Sequence, residues 1–233
     1  MNDKGVTMIK VGDFSKDNLE KVFDTSFGDP VQTRTKELEW LMDRCMDDDN
    51  ALFVELGVYK GTTINTCAGK KENRTFNGFD SFEGLPEEWN FRKDKIYPAG
   101  KSDYKSFWLP KLPDVKDNVI LHKGWFNETL PEFVKTLSDN QYISFLHLDA
   151  DLYSSTYEGL STLNNYIVKG TILKFDEFCT WYDIFDDCHN TLRYDGWEDG
   201  EYKALNDWMK KFDRKVKPYS RDSKEAATVI VTQ

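Results

Sequence analysis

Residues 141–178 read QYISFLHLDADLYSSTYEGLSTLNNYIVKGTILKFDEF, and the order of residue types in this stretch decides the fold. An apolar run over 142–148 ends in Asp149 and Asp151, a helix is predicted over 154–168, and a second apolar run over 171–175 ends in Asp176 and Glu177. Two strands joined by a crossover long enough for a helix form a parallel βαβ unit, so both runs end on the same edge of one sheet. That edge is where open α/β sheets bind ligands. Carboxylates gathered there repel one another unless a cation or shared protons offset the charge, and a hard divalent ion such as Mg²⁺ is the simplest remedy.

Upstream, residues 51–56 (ALFVEL) are apolar except for Glu55, and Gly57, Gly61 and a threonine-rich helical start follow. Strand, glycine turn and helix are the predicted elements. Glycines permit a sharp turn and a close approach to a ligand, and a helix N-terminus offers unpaired N–H groups. The turn GVYKG is not the GxGxxG of a dinucleotide site, and Gly57 is equally explained as a strand terminator. A second run over 74–80 (RTFNGFD) ends in Asp80, placed to accept both hydroxyls of a ribose. The polar and aromatic segment from there to Pro113, with Trp89, Phe91, Tyr97, Tyr104, Phe107 and Trp108, reads either as a mobile cover for a ligand or as a surface loop. Residues 118–123 (NVILHK) give a third strand with Gly124, Trp125 and Phe126 at the ligand edge, and 128–137 a helix.

Outward from this centre, Leu38, Leu41, Met42 and Cys45 recur at helical spacing over 31–46. An arm or cap precedes them, with Phe14, Leu19, Val22, Phe23 and Phe27 as its apolar anchors. At the other end 197–212 is helical in pattern, and 215–219 with 226–232 suit a closing hairpin. One domain over 1–233 is expected, with 1–35 as the arm and 36–233 as the core. The net charge of −10, without any Lys/Arg cluster, argues against a nucleic-acid partner. No apolar run approaches the roughly 18 to 20 residues of a membrane span and the first residues lack a signal-peptide core, so a cytoplasmic protein without a membrane partner is expected. Cys45, Cys67, Cys179 and Cys188 lack CxxC spacing and suit reduced thiols.

Four collinear motifs, Glu55-Leu56-Gly57 with Gly61, Asp80-Ser81-Phe82-Glu83-Gly84-Leu85-Pro86, Gly124-Trp125-Phe126 with Thr129-Leu130-Pro131, and residues 149–156 (DADLYSST), follow one another over about 35–177. In this the chain resembles the TylF/MycF-type, or macrocin, O-methyltransferases, which methylate sugar hydroxyls. The resemblance implies a class I methyltransferase fold, a Rossmann-like doubly wound sheet that is mostly parallel with an antiparallel C-terminal strand, and a dependence on S-adenosylmethionine and Mg²⁺. Carried over by position, Glu55, Gly57, Tyr59, Gly61 and Thr62 would line the methionine part of the cofactor. Asp80 would hold the ribose, Ser81 and Phe82 would lie beside the adenosine, and Gly124, Trp125 and Phe126 would flank the adenine. Asp149, Asp176 and Glu177 would be the metal ligands, Glu177 standing where many relatives have a second Asp. Residues 181–197 (WYDIFDDCHNTLRYDGW) depart from the macrolide enzymes, so the acceptor does not carry over.

The chemistry is consistent with that implication, since a cation stabilises an alkoxide and a vicinal diol offers it two oxygens. A sugar acceptor with neighbouring hydroxyls, in a metabolite or a surface glycan, is therefore expected, and a homo-oligomer is left open. The alternatives are a metal-dependent nucleotide-sugar glycosyltransferase using Asp149 and Asp151 as a DxD, or an inactive methyltransferase-like binding protein. Asp151 reads as a cap of the helix beginning near Ser154 in preference to a ligand, and His147 as a satisfied buried histidine in preference to a base. Tyr153 and Trp181 suit either an acceptor pocket or packing. For the general base Asp149 is preferred, with His189 in reserve because its ordinary pKa suits neutral operation.

Overall fold

In the computed structural model, which describes residues 8–24, 30–101, 107–186 and 194–233, the apolar runs become strands and the amphipathic segments the helices that cover them. In chain order the elements are β1 (Lys21–Phe23), α1 (Pro30–Met42), β2 (Ala51–Leu56), α2 (Thr62–Lys70), β3 (Phe76–Asp80), β4 (Trp89–Arg92) and β5 (Lys95–Tyr97). They continue with β6 (Val119–Lys123), α3 (Phe126–Thr136), β7 (Tyr142–Leu148), α4 (Tyr153–Thr162), β8 (Ile167–Phe175), α5 (Glu201–Phe212), β9 (Val216–Asp222) and β10 (Ala227–Val231). One eight-stranded sheet has the order β1-β9-β10-β8-β7-β2-β3-β6. Its strands pair in parallel except at β10, which runs antiparallel to both β8 and β9. This is the doubly wound sheet expected.

Strand periodicity sorts the side chains between the two faces. On β2, Leu52, Val54 and Leu56 join the larger apolar cluster with Leu146, Leu148, Leu160, Leu205 and Trp208, the side of α4 and α5. Phe53 faces the other way with Phe145, against Leu38, Leu41 and Met42 of α1 and Ile64 and Cys67 of α2. Glu55 and His147 lie two residues further along the same two strands. The alternation therefore delivers both polar side chains beneath α1 and α2 at the ligand edge.

Several boundaries differ from the expectation. The helix predicted over 154–168 ends at Thr162; a 3₁₀ turn at Asn164–Tyr166 follows, and β8 begins at Ile167. A register shift between the Ile143–Ile167 and Phe145–Ile172 pairs, with Gly170 at φ +99°, interrupts the strand's apolar pattern. The aromatic stretch expected to lack regular structure forms the two-stranded β4–β5 hairpin, with Trp89 stacked on Tyr97 at 5.0 Å between ring centroids. In the arm, Phe14 is fully buried against Phe178 and Trp181, and β1 extends the sheet beside β9. Phe27, Tyr104, Cys188 and His189 lie outside the described residues. Among the described residues no helix is long and apolar enough to cross a membrane.

Candidate active site

The turn after β2 is set by its neighbours. Gly57 has φ +90°, and a Cβ there would lie 1.8 Å from the carbonyl oxygen of Asp149, so no larger residue fits. Close approach is indeed its reason, but the partner is the end of β7. Asp80 fixes the rest of the turn: Oδ2 accepts from the N–H groups of Val58 (2.9 Å) and Tyr59 (2.7 Å), and Oδ1 from that of Phe82 (2.6 Å). Tyr59 and Phe82 both hold left-handed backbone conformations, with φ of 44° and 53°, strain that these charge-assisted bonds offset. Two lone pairs on each oxygen leave Asp80 room for one further donor within this pattern, where the sequence suggested two ribose hydroxyls. Burial pushes its carboxyl above the ordinary value against the pull of the three N–H groups.

A cavity of about 880 Å³ opens over these strand ends. Gly57, Tyr59, Asp80, Ser81, Gly124, Trp125, Phe126 and Asp149 all line it. Four other candidates take different places. Glu55 is buried beneath the turn, accepting from Thr63 Oγ1 (2.9 Å) and paired with His147 Nδ1 (2.8 Å), because its strand position points it at α2. Gly61 packs as the N-cap of α2 beside Val115 and Pro113, Thr62 lines a smaller neighbouring cavity, and Phe82 is in the core, with only its backbone serving Asp80. The outer wall is aromatic, with Trp89, Phe91, Tyr97 and Phe107 from the hairpin and its flank. Tyr153 and Trp181 are not part of this wall. Tyr153 donates to Asp207 and stacks on Tyr157, while Trp181 is fully buried and donates to the Ala226 carbonyl.

Two sets of acids meet at Asp149. His147, fully buried, lies between Glu55 and Asp176 (3.1 Å), and Asp176 also pairs with Lys174 (3.1 Å) and Arg34 (2.8 Å). Burial alone would lower the imidazole's pKa, but its two carboxylate bonds prevail and raise it to about 10. Burial likewise opposes ionisation of Asp176, yet Arg34, Lys174 and His147 hold it well below the usual carboxylate range. His147 is thus the satisfied buried histidine the sequence suggested.

The second set is Asp149, Asp151 and Glu177, each of which offers one oxygen within 4.8 Å of the others. Burial, reinforced by neighbouring carboxylates, pushes Asp149 up to about 7 and the other two well above their ordinary range. Glu177 Oε2 is buried without a hydrogen-bond partner. The capping role expected of Asp151 is overturned: α4 has Leu152 at its N-cap and no side-chain cap, and Asp151 sits at φ 61° among the acids. Glu201, at the start of α5, deepens the acidic layer; burial raises it to about 8 while the Glu177 N–H and Thr156 Oγ1 donate to it. Neither it nor Arg34 had a sequence signal beyond an acid and a base near the start of a helix.

Residues 29–194 match the family described as macrocin O-methyltransferase (TylF). Among solved structures the chain is similar to the calicheamicin methyltransferase CalS11 (21% identity, TM-score 0.59, covering 85% of this chain and 79% of that one). It is similar also to the O-methyltransferase NovP (18%, TM-score 0.54, covering 86% and 80%) and to an O-methyltransferase from Bacillus cereus solved with SAH (10%, TM-score 0.50, covering 91% and 84%). No curated protein matches the sequence. At these identities the structures establish the class I methyltransferase fold; the family match, which spans most of the chain, decides against the glycosyltransferase alternative. The chain belongs to the macrocin O-methyltransferase family and is an S-adenosylmethionine-dependent O-methyltransferase.

Proposed function

We propose that the acceptor is a sugar hydroxyl flanked by a second hydroxyl, and that a divalent cation, Mg²⁺ by its donor set, is held at Asp149, Asp151 and Glu177; Asp176, a ligand in the sequence-based expectation, is instead engaged by Arg34, Lys174 and His147. The observation that carries the metal is the unneutralised cluster at the cavity floor: three carboxylates within 4.8 Å, one with an oxygen lacking any partner. All donors are hard oxygens, the set Mg²⁺ prefers. The sugar is supported by the family and by CalS11, which is described as a TDP-rhamnose 3′-O-methyltransferase. The half-buried aromatic rings of Tyr97 and Phe107 on the outer wall suit the C–H face of a pyranose ring.

A divalent cation in this cluster would lower the pKa of an acceptor hydroxyl, and S-adenosylmethionine would supply the activated methyl group. The chain's own contribution is placement. Gly57 and Tyr59 are assigned to the methionine part of the donor, Asp80, Ser81, Trp125 and Phe126 to the nucleoside, and the hairpin aromatics to the acceptor and to exclusion of water. The Asp149 carboxylate is assigned the hydroxyl proton. A cation bound there would favour the ionised carboxylate but would lower the pKa of the bound hydroxyl too, which narrows the gap between donor and acceptor of the proton. His189, the reserve candidate, lies outside the described residues.

The test is turnover with a diol-bearing sugar glycoside in excess chelator and after Mg²⁺ is returned. Activity should vanish and recover while S-adenosylhomocysteine binding persists throughout; full activity in chelator refutes the metal, and equal rates on singly deoxygenated acceptors refute the diol.

A further inference from the structure

The cavity is a trough whose lining follows the order of the strands. Trp125 lies beyond β6, Asp80 ends β3, Gly57 follows β2, Asp149 follows β7 and Glu177 follows β8. Adjacent strands are about 4.8 Å apart. A nucleoside placed at Asp80 and Trp125 therefore sends its amino-acid tail across Gly57 toward the ends of β7 and β8. This floor is acidic, and the tail carries a carboxylate that needs a cation there.

Three cationic side chains line the cavity among the described residues: Arg34, Lys95 and Lys224. Lys95 sits on the hairpin, over the rings of Phe91 (4.9 Å) and Tyr97 (4.8 Å), and Lys224 pairs with Glu225 (3.4 Å). Arg34 alone of the three reaches over the ends of β7 and β8: it contacts Asp176 and feels the charges of Asp149 and Glu177. Its side chain is 40% exposed, and the ion pair described for it occupies one terminal nitrogen of a group with five N–H donors.

Resting on the assignment of this cavity to the cofactor, we infer that Arg34 binds the α-carboxylate of S-adenosylmethionine and positions its amino-acid tail. One face of the guanidinium remains on Asp176 while the other takes the ligand's carboxylate, so α1 is drawn down on the cofactor at the sheet edge. Arg34 then couples donor binding to the acid that ends β8.

The experiment compares calorimetric affinities for S-adenosylhomocysteine and for its decarboxylated analogue, which keeps the amine and lacks only the carboxylate. The wild type should prefer S-adenosylhomocysteine by about 10-fold or more, the scale of a charge-assisted hydrogen bond. Arg34→Gln should erase that preference while leaving affinity for the analogue unchanged, and Arg34→Lys should restore part of it. An equal loss for both ligands, the signature of a structural role, or an undiminished preference in Arg34→Gln, overturns the inference. If the wild type binds neither ligand, the assignment of the cavity itself fails and the inference with it.

Discussion

Two groups of buried charge lie side by side at the ends of β2, β7 and β8, and they are built on opposite terms. Beneath α1 and α2, Glu55, Asp176 and Glu37 are interleaved with His147, Lys174 and Arg34 in direct pairs. On the floor of the cavity, Asp149, Asp151 and Glu177 face one another without an ion-pair partner among the described residues, only Asp149 feeling the pull of His147 and Arg34, and Glu201 adds to their repulsion. Charge balance marks the first group as architecture: removing a member exposes its partner. Imbalance marks the second as a site, stable only when protons or an external ion complete it.

The comparison is broken most directly at His147. His147→Ala should destabilise the fold by about 3–5 kcal/mol in urea unfolding, the cost of leaving buried charges without their partner; a change below about 1 kcal/mol would mean that the layer is not held by its pairs. Asp149→Asn should do the reverse, costing 100-fold or more in turnover with the unfolding midpoint held or raised and S-adenosylhomocysteine still bound. A smaller effect is expected from Glu177→Gln, which relieves repulsion: metal-free stability should rise by about 1 kcal/mol, and the Mg²⁺-induced increase in melting temperature should shrink. Equal Mg²⁺ stabilisation in mutant and wild type would remove Glu177 from the metal.

The least effect concerns pH. Asp222 is the acid in excess on the balanced side; burial first, then Glu37, push it up to about 7 despite Lys174. Because the folded value lies above the ordinary 3.8, its stabilising contribution is present below about pH 4 and is lost as pH rises through 7. Asp222→Asn should therefore flatten the stability profile between those limits, as read by thermal unfolding. An unaltered slope would place the titration elsewhere.

The same contrast explains what the sequence made legible. Apolar runs capped by acids located β2, β3, β7 and β8 because buried parallel strands need continuous apolar residues, and the acids converge because parallel strands end together. Whether a given acid is neutralised depends on what folds over it. Arg34 and Glu37 come from a helix more than 100 residues away from Asp176 and Lys174, so the sequence could not separate Asp176 from Asp149. Asp151 was misassigned because its backbone is left-handed, a state that Asp tolerates but does not announce. Glu55 was assigned to the ligand because its distance along the strand is right, but its side chain falls on the helix-covered face. The three-residue β1 and the β4–β5 hairpin lack the length or alternation that pattern reading requires.

The contact between Gly57 and the Asp149 carbonyl has a consequence for how such an enzyme can change. The turn assigned to the methyl donor and the strand end assigned to the proton acceptor abut through backbone alone, with no space for even a methyl group, and the Asp149 N–H is bonded to the Leu56 carbonyl (2.9 Å). Neither can shift without the other, so the span between them is a fixed gauge insensitive to side-chain drift. The hairpin carrying Trp89, Phe91 and Tyr97 is a separate two-stranded piece. Substitution there can refit the jaw that grips an acceptor while the calibrated half of the tool keeps its setting.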